Sequence, residues 1–139
     1  MTRIAIVVSG GSFNNIFQVS TLIRTLAAMP GTSIRVFFRD EAVIKLTIAR
    51  INEYNFSEMV RDQESAIIER LKEAEFTDLQ SFLRDSKEHG DDVKLFACTS
   101  SMYMYGISEG DLIPEIDEPK ALGDFLREDV AGADQVFTF

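Results

Sequence analysis

The chain begins with a pattern that leaves few folds open to it. Residues 3–9 read RIAIVVS, a continuous β-branched run, and Gly10-Gly11-Ser12 breaks it. A run without polar alternation suits a parallel strand covered on both faces. Ser12 is placed to cap a helix over residues 13–29, where Phe13, Ile16, Phe17, Ile23, Leu26 and Ala27 form one apolar stripe. Pro30-Gly31 stops that helix, and residues 33–39, SIRVFFR, read as a second strand. Strand, glycine turn, helix and strand make a right-handed βαβ unit whose strands end on one edge of the sheet. Ligands of open α/β sheets bind beyond those ends.

The remainder continues the alternation. A charged, mainly helical insertion at about 41–76 carries a stripe of Val43, Ile44, Ile48 and Ile51. Ser57 then caps a second helix with Val60, Ile67, Ile68 and Leu71 inward. This least regular part of the chain is the candidate for a mobile cover over the strand ends or for an oligomer contact. Thr77-x-x-Gln80 has capping-box spacing and opens a helix that Gly90 closes. Residues 93–97 form a buried strand, a short strand is expected at 112–116, and Asp117 or Glu118 with Pro119 starts a helix running to Arg127. Residues 135–139 supply the last strand. The pattern predicts a single domain over 1–139, a three-layer α/β/α sandwich with a mainly parallel sheet of four or five strands.

Composition excludes several functions. Against 14 basic residues stand 23 acidic ones, a net charge of −9 that repels nucleic acid and anionic membrane surfaces and favours basic partners. One Cys among 139 residues rules out an internal disulfide and thioredoxin-like CxxC exchange, and it suits a reducing compartment. With no signal-like N-terminus and no apolar run of spanning length, a cytoplasmic location without membrane insertion is expected. A single His and no Cys/His cluster give no metal site. His89 falls in the last turn of its helix, at the end of the sheet opposite Cys98, and is left out of the candidate site.

Chemistry concentrates in residues 93–107, VKLFACTSSMYMYGI. Cys98 ends an apolar strand, and Thr99, Ser100 and Ser101 favour a helix start. At such a corner, unpaired N–H groups and partial positive charge favour a thiolate over an inert thiol. The same groups suit a bound anion. Three readings are open: a sulfur-handling thiol, a non-catalytic module that recognises a small anion or a protein with an incidental thiol, and a peroxide-reducing thiol protein that needs an external reductant.

Ala97-Cys98, then Ser101-Met102, then Gly106-Ile107, preceded by Gly90 and Val93-Lys94-Leu95, resembles the cysteine motif of the DsrE/DsrF/DsrH-like family of sulfur-relay proteins. The likeness runs through the layout of the whole chain, from a first strand ending Ser9-Gly10, through Phe37-Phe38, to a closing strand ending in Phe139. Ser100 and Tyr105 stand where the family pattern has methionine, and the segment after Arg39 is more polar than the pattern. The resemblance implies the same sandwich and assembly into homotrimers or homohexamers. It also implies a sulfur carrier or sulfurtransferase: Cys98 accepts sulfane sulfur as a persulfide or thiosulfonate and passes it to a partner thiol. Gly10, Gly11, Thr99, Ser100, Ser101 and Met102 would then surround the negative end, with rhodanese-type or TusA-like proteins as partners and no cofactor.

Overall fold

The computed structural model describes residues 1–139. Its strands are β1 (Thr2–Val8), β2 (Thr32–Phe38), β3 (Val93–Cys98), β4 (Glu118–Lys120) and β5 (Gln135–Thr138). All pair in parallel, in the order β4-β3-β2-β1-β5. The helices are α1 (Phe13–Ala27), α2 (Glu41–Lys45), α3 (Glu64–Glu73), α4 (Leu79–Glu88), α5 (Thr99–Met104) and α6 (Leu122–Phe125), with a 3-10 turn over Glu58–Gln63 before α3. The expected three-layer sandwich is present, with five strands.

Alternation along β2 sends Ile34, Val36 and Phe38 to one face and Arg35 and Phe37 to the other. α1 and α4 cover the first face, joined by the stacked rings of Phe17 and Phe82, 4.9 Å apart. Phe125 of α6 covers the second; its ring stacks on Phe37 at 4.8 Å and meets Phe96 edge-on at 6.2 Å. Ser12 caps α1 as expected, its Oγ accepting the Asn15 N–H at 3.1 Å.

Other expectations change in detail. The cap of α4 is Asp78, not Thr77: its carboxylate accepts the Ser81 N–H at 2.7 Å, while the Gln80 amide is drawn away to Glu115 at 2.9 Å. No strand forms over 112–116 beyond one antiparallel bridge between Leu112 and Thr47. Pro119 lies in strand β4, and the expected helix starts later, at Leu122, and runs past Arg127 as α6 followed by a π-helical turn over Leu126–Val130. β4 is an edge strand, where a residue without an N–H costs no ladder bond on the open side. Asp117 fixes its entry: its N–H donates to the Leu95 carbonyl at 2.9 Å, and its carboxylate accepts the Leu95 N–H at 2.8 Å.

In the 41–76 insertion α2 is only five residues long, and Ile48 of the expected stripe is exposed while Val43 and Ile51 are buried. Ser57 precedes the 3-10 turn without capping it; its N–H and hydroxyl instead bind Asn14. Residues 54–57 thereby pack over the start of α1, where Phe13 contacts Tyr54 and Phe56 with ring centroids 5.0 and 5.1 Å away.

Replacing Phe125 by Ala should cost about 3–5 kcal/mol, because the cavity would open between Phe37 and Phe96, under the helix that continues from α6 as a π-helical turn over Leu126–Val130. Leu126→Ala, at a residue 45 % exposed, should cost well under half as much. Urea unfolding of the two variants checks the difference.

Candidate functional site

Parallel register sets Val8, Phe38 and Ala97 level with one another across β1, β2 and β3. The next residues, Ser9, Arg39 and Cys98, therefore leave the sheet side by side at its carboxyl edge. His89 is at the far edge, bordering a hollow with Met1 and Thr32, as the order of elements predicts.

Cys98 is both the last residue of β3 and the N-cap of α5. Its Sγ lies 3.2 Å from the Ser100 hydroxyl. Burial alone would push the thiol up, since the residue is 1 % exposed and desolvation disfavours a thiolate. Hydrogen bonds from the hydroxyls and backbone of Ser100 and Ser101 outweigh that and hold it below the usual thiol value of 9.0. α5 has six residues, so its dipole is small and the aimed donors matter more.

The Ser101 donor is itself held in place. Its Oγ accepts the backbone N–H of Asp40 at 2.8 Å, which leaves the hydroxyl proton free for the sulfur. Asp40 has φ 53° and ψ −136°, a conformation strained for a residue with a side chain. Its carboxylate accepts the Tyr105 hydroxyl at 2.5 Å, and this bond raises the phenol above its usual value of 10.0. A connected line therefore runs from Tyr105 through Asp40 to Ser101, which favours the thiolate. Tyr105 closes α5, and beyond it Gly106 takes φ 65°. The Ile107 N–H reaches back to the Met102 carbonyl at 2.8 Å and the Gly106 N–H to Tyr103 at 3.2 Å, an end that requires the left-handed residue.

Of the residues singled out in the sequence, Ser100 and Ser101 meet the thiol, whereas Thr99 opens α5 with its side chain exposed. Met102 is buried in the core below them, while Tyr103 is 90 % exposed and Met104 also faces outward. Gly10 and Gly11 share the rim but do not join the cluster. The Gly10 carbonyl binds the Asn15 amide at 2.8 Å, and that of Gly11 binds Asn55 at 2.9 Å. Residues 40 and 41 intervene: Asp40 bonds Ser101, while the Glu41 carbonyl lies 2.5 Å from where a Cβ on Gly11 would be. Gly11 is required for that close approach. Asp40 was missed, although its place just past the carboxyl end of β2, on the same rim as Cys98, was readable.

Fold and corner together define a class: a parallel α/β sandwich with one thiol held by serine donors at the carboxyl edge of its sheet. The DsrE/DsrF-like family model matches residues 2–139, and the chain belongs to that family, which is generally linked to sulfur relay. Among solved structures it is similar to a protein of unknown function, MTH1491, from Methanobacterium thermoautotrophicum, at 15% identity and a TM-score of 0.66, covering 99% of both chains. It is similar also to the ychN protein from E. coli, at 21% identity and a TM-score of 0.64 over 100% of each chain. Those likenesses are of fold. A sequence search of curated proteins gave no significant match. No helix is long and apolar enough to cross a membrane.

Ser100→Ala and Ser101→Ala should each raise the pH at which Cys98 becomes reactive, read as the midpoint of iodoacetamide alkylation against pH, and should slow alkylation at neutral pH. Because the folded thiol titrates below its unfolded value of 9.0, the unfolded chain binds more protons between the two. The stability of the protein relative to Cys98→Ser should therefore rise as pH climbs towards 9.0 and level off above it. Urea midpoints of both proteins over that range check the sign.

Proposed function

We propose that the protein is a sulfur carrier of the relay type, with Cys98 as the residue that holds the sulfur. The Cys98 thiolate attacks the outer sulfur of a donor persulfide, expels the donor thiolate and becomes a persulfide. An acceptor thiolate on a partner then takes that sulfur and releases Cys98. A thiosulfonate adduct, formed when the thiolate attacks a sulfane sulfur of tetrathionate and expels thiosulfate, is the alternative stored form. The N–H groups of Thr99, Ser100 and Ser101 and the two serine hydroxyls stabilise the terminal negative charge. No step calls for a metal or an organic cofactor.

The observation that carries this reading is the set of serine donors converging on a buried thiol whose ionisation they favour. The family's link to sulfur relay supports it. Cys98 is 1 % exposed, so transfer requires α5 or its neighbours to move when a partner docks. Docking has a surface beside the site: an apolar groove of about 570 Å3 bordered by Ile44, Ile48, Tyr105 and Ile107, with Tyr103 and Met104 projecting from α5. Rhodanese-type or TusA-like proteins are the partners we propose, and homotrimers or homohexamers the assembly, in the cytoplasm. A second reading, a binding module with an idle thiol, draws on the same burial of Cys98.

Intact-mass measurement after incubation with thiosulfate, polysulfide or a persulfide donor should show addition of one sulfur, lost on treatment with a reducing thiol and absent in Cys98→Ser. Failure of every donor to load Cys98 would overturn the carrier reading and leave the binding module.

A further inference from the structure

α2 also borders a second concavity, of about 460 Å3, whose lining does not include Cys98. Ten residues line it and only Ile44 and Phe56 are apolar, so it is a polar hollow within the size range of small-molecule sites. Three of the lining residues are cations, Lys45, Arg50 and Arg61, and one is a carboxylate, Glu41. In a chain of net charge −9 this concentration of positive charge is contrary to the average. Only Arg50 is engaged by a carboxylate, with Nε 2.7 Å from Glu53.

Lys45 is the most unusual of the three. It is 2 % exposed, and its Nζ donates to the carbonyls of Arg50 at 2.9 Å and Glu53 at 2.5 Å. Its third proton has no acceptor in the protein. Beyond those carbonyls the buried ammonium has only the face of the Phe13 ring, 5.6 Å away, and the charge of Glu53, whose carboxylate is paired with Arg50, and an anion in the adjoining hollow would add to this compensation. Burial accordingly lowers Lys45 to about 8, with Arg50 adding to the effect and Glu53 opposing it. The start of α1 contributes little, because Asn55 accepts the Phe13 N–H and Ser12 the Asn15 N–H.

We propose that this hollow binds a small organic molecule through a phosphate or comparable tetrahedral oxyanion, held by Lys45, Arg50 and Arg61. The hollow is larger than a bare anion needs, and its hydroxyls, Ser12 and Ser57, suit a polar body. The site is independent of the thiol and goes beyond the sulfur-carrier reading.

Calorimetric titration of the full chain with inorganic phosphate, thiosulfate and glycerol 3-phosphate tests it. One saturable site is expected, with glycerol 3-phosphate binding more tightly than inorganic phosphate. Arg61→Gln should weaken binding about tenfold through loss of one charge-assisted contact, and Glu41→Gln should tighten it. Arg61→Gln should leave sulfur loading at Cys98 unchanged, and Cys98→Ser should leave anion binding unchanged. Around Lys45 stand Glu53, Arg50, Glu41 and Arg61, and an anion favours the protonated amine over all of them. Binding should therefore weaken as pH rises through about 8 and take up part of a proton there, seen as heats that vary with buffer ionisation enthalpy. No binding of any of the three at millimolar concentration would overturn the proposal. So would affinities that neither charge variant alters, or binding that Cys98→Ser abolishes.

Discussion

The site depends on the level register of three parallel strands. Val8, Phe38 and Ala97 lie abreast, so three chain segments leave the sheet at one height, a few ångströms apart. Parallel strands end together in this way only because each βα crossover returns the chain to the same starting edge. The three departing segments must therefore share a crowded rim. The Gly11 backbone yields to Glu41, and Asp40 accepts a strained conformation as its N–H bonds Ser101.

That crowding explains how a buried thiol is held towards ionisation. Desolvation is the largest influence on Cys98 and opposes charge, yet the serine donors together outweigh it. One of them, Ser101, is fixed before any charge appears. Ser101 accepts the Asp40 N–H, so its oxygen is held in place while its proton remains available to donate. A hydroxyl free to rotate would lose part of this effect to water or to another acceptor. The strain at Asp40 is thus tied to the chemistry two strands from the first glycine turn.

The architecture was readable because each element carries its own period. Residues 3–9 and 93–97 are uninterrupted apolar runs, and α1 shows one stripe closed by Pro30-Gly31. The errors came where two local signals competed. Thr77 and Asp78 are both plausible caps, and the choice rested on where Gln80 found a partner, which was Glu115, 35 residues away. Pro119 fits a helix start as well as an edge strand, and only the contacts of Asp117 with Leu95 decide between them. For the site, Cys98 and its serines were legible because they are adjacent in sequence. Asp40 and Tyr105 are 65 residues apart, and Lys45 reveals itself only through its burial. Gly10 and Gly11 were correctly placed on the rim but assigned to the thiol because a sequence does not show that α2 stands between them.

α2 thus separates two kinds of chemistry. Its N-cap, Asp40, bonds Ser101 and Tyr105 on the thiol side, and its last residue, Lys45, is anchored to the carbonyls of residues 50 and 53 on the cationic side. Five residues make little more than one helical turn, too short to be stable alone, so its position is dictated by what holds its two ends. An anion bound at Lys45 would strengthen the anchor there, because it would compensate the charge that now makes the buried amine costly. The thiol side would then be the end of α2 with the smaller resistance to opening, since strain at Asp40 favours release while nothing comparable loosens Lys45.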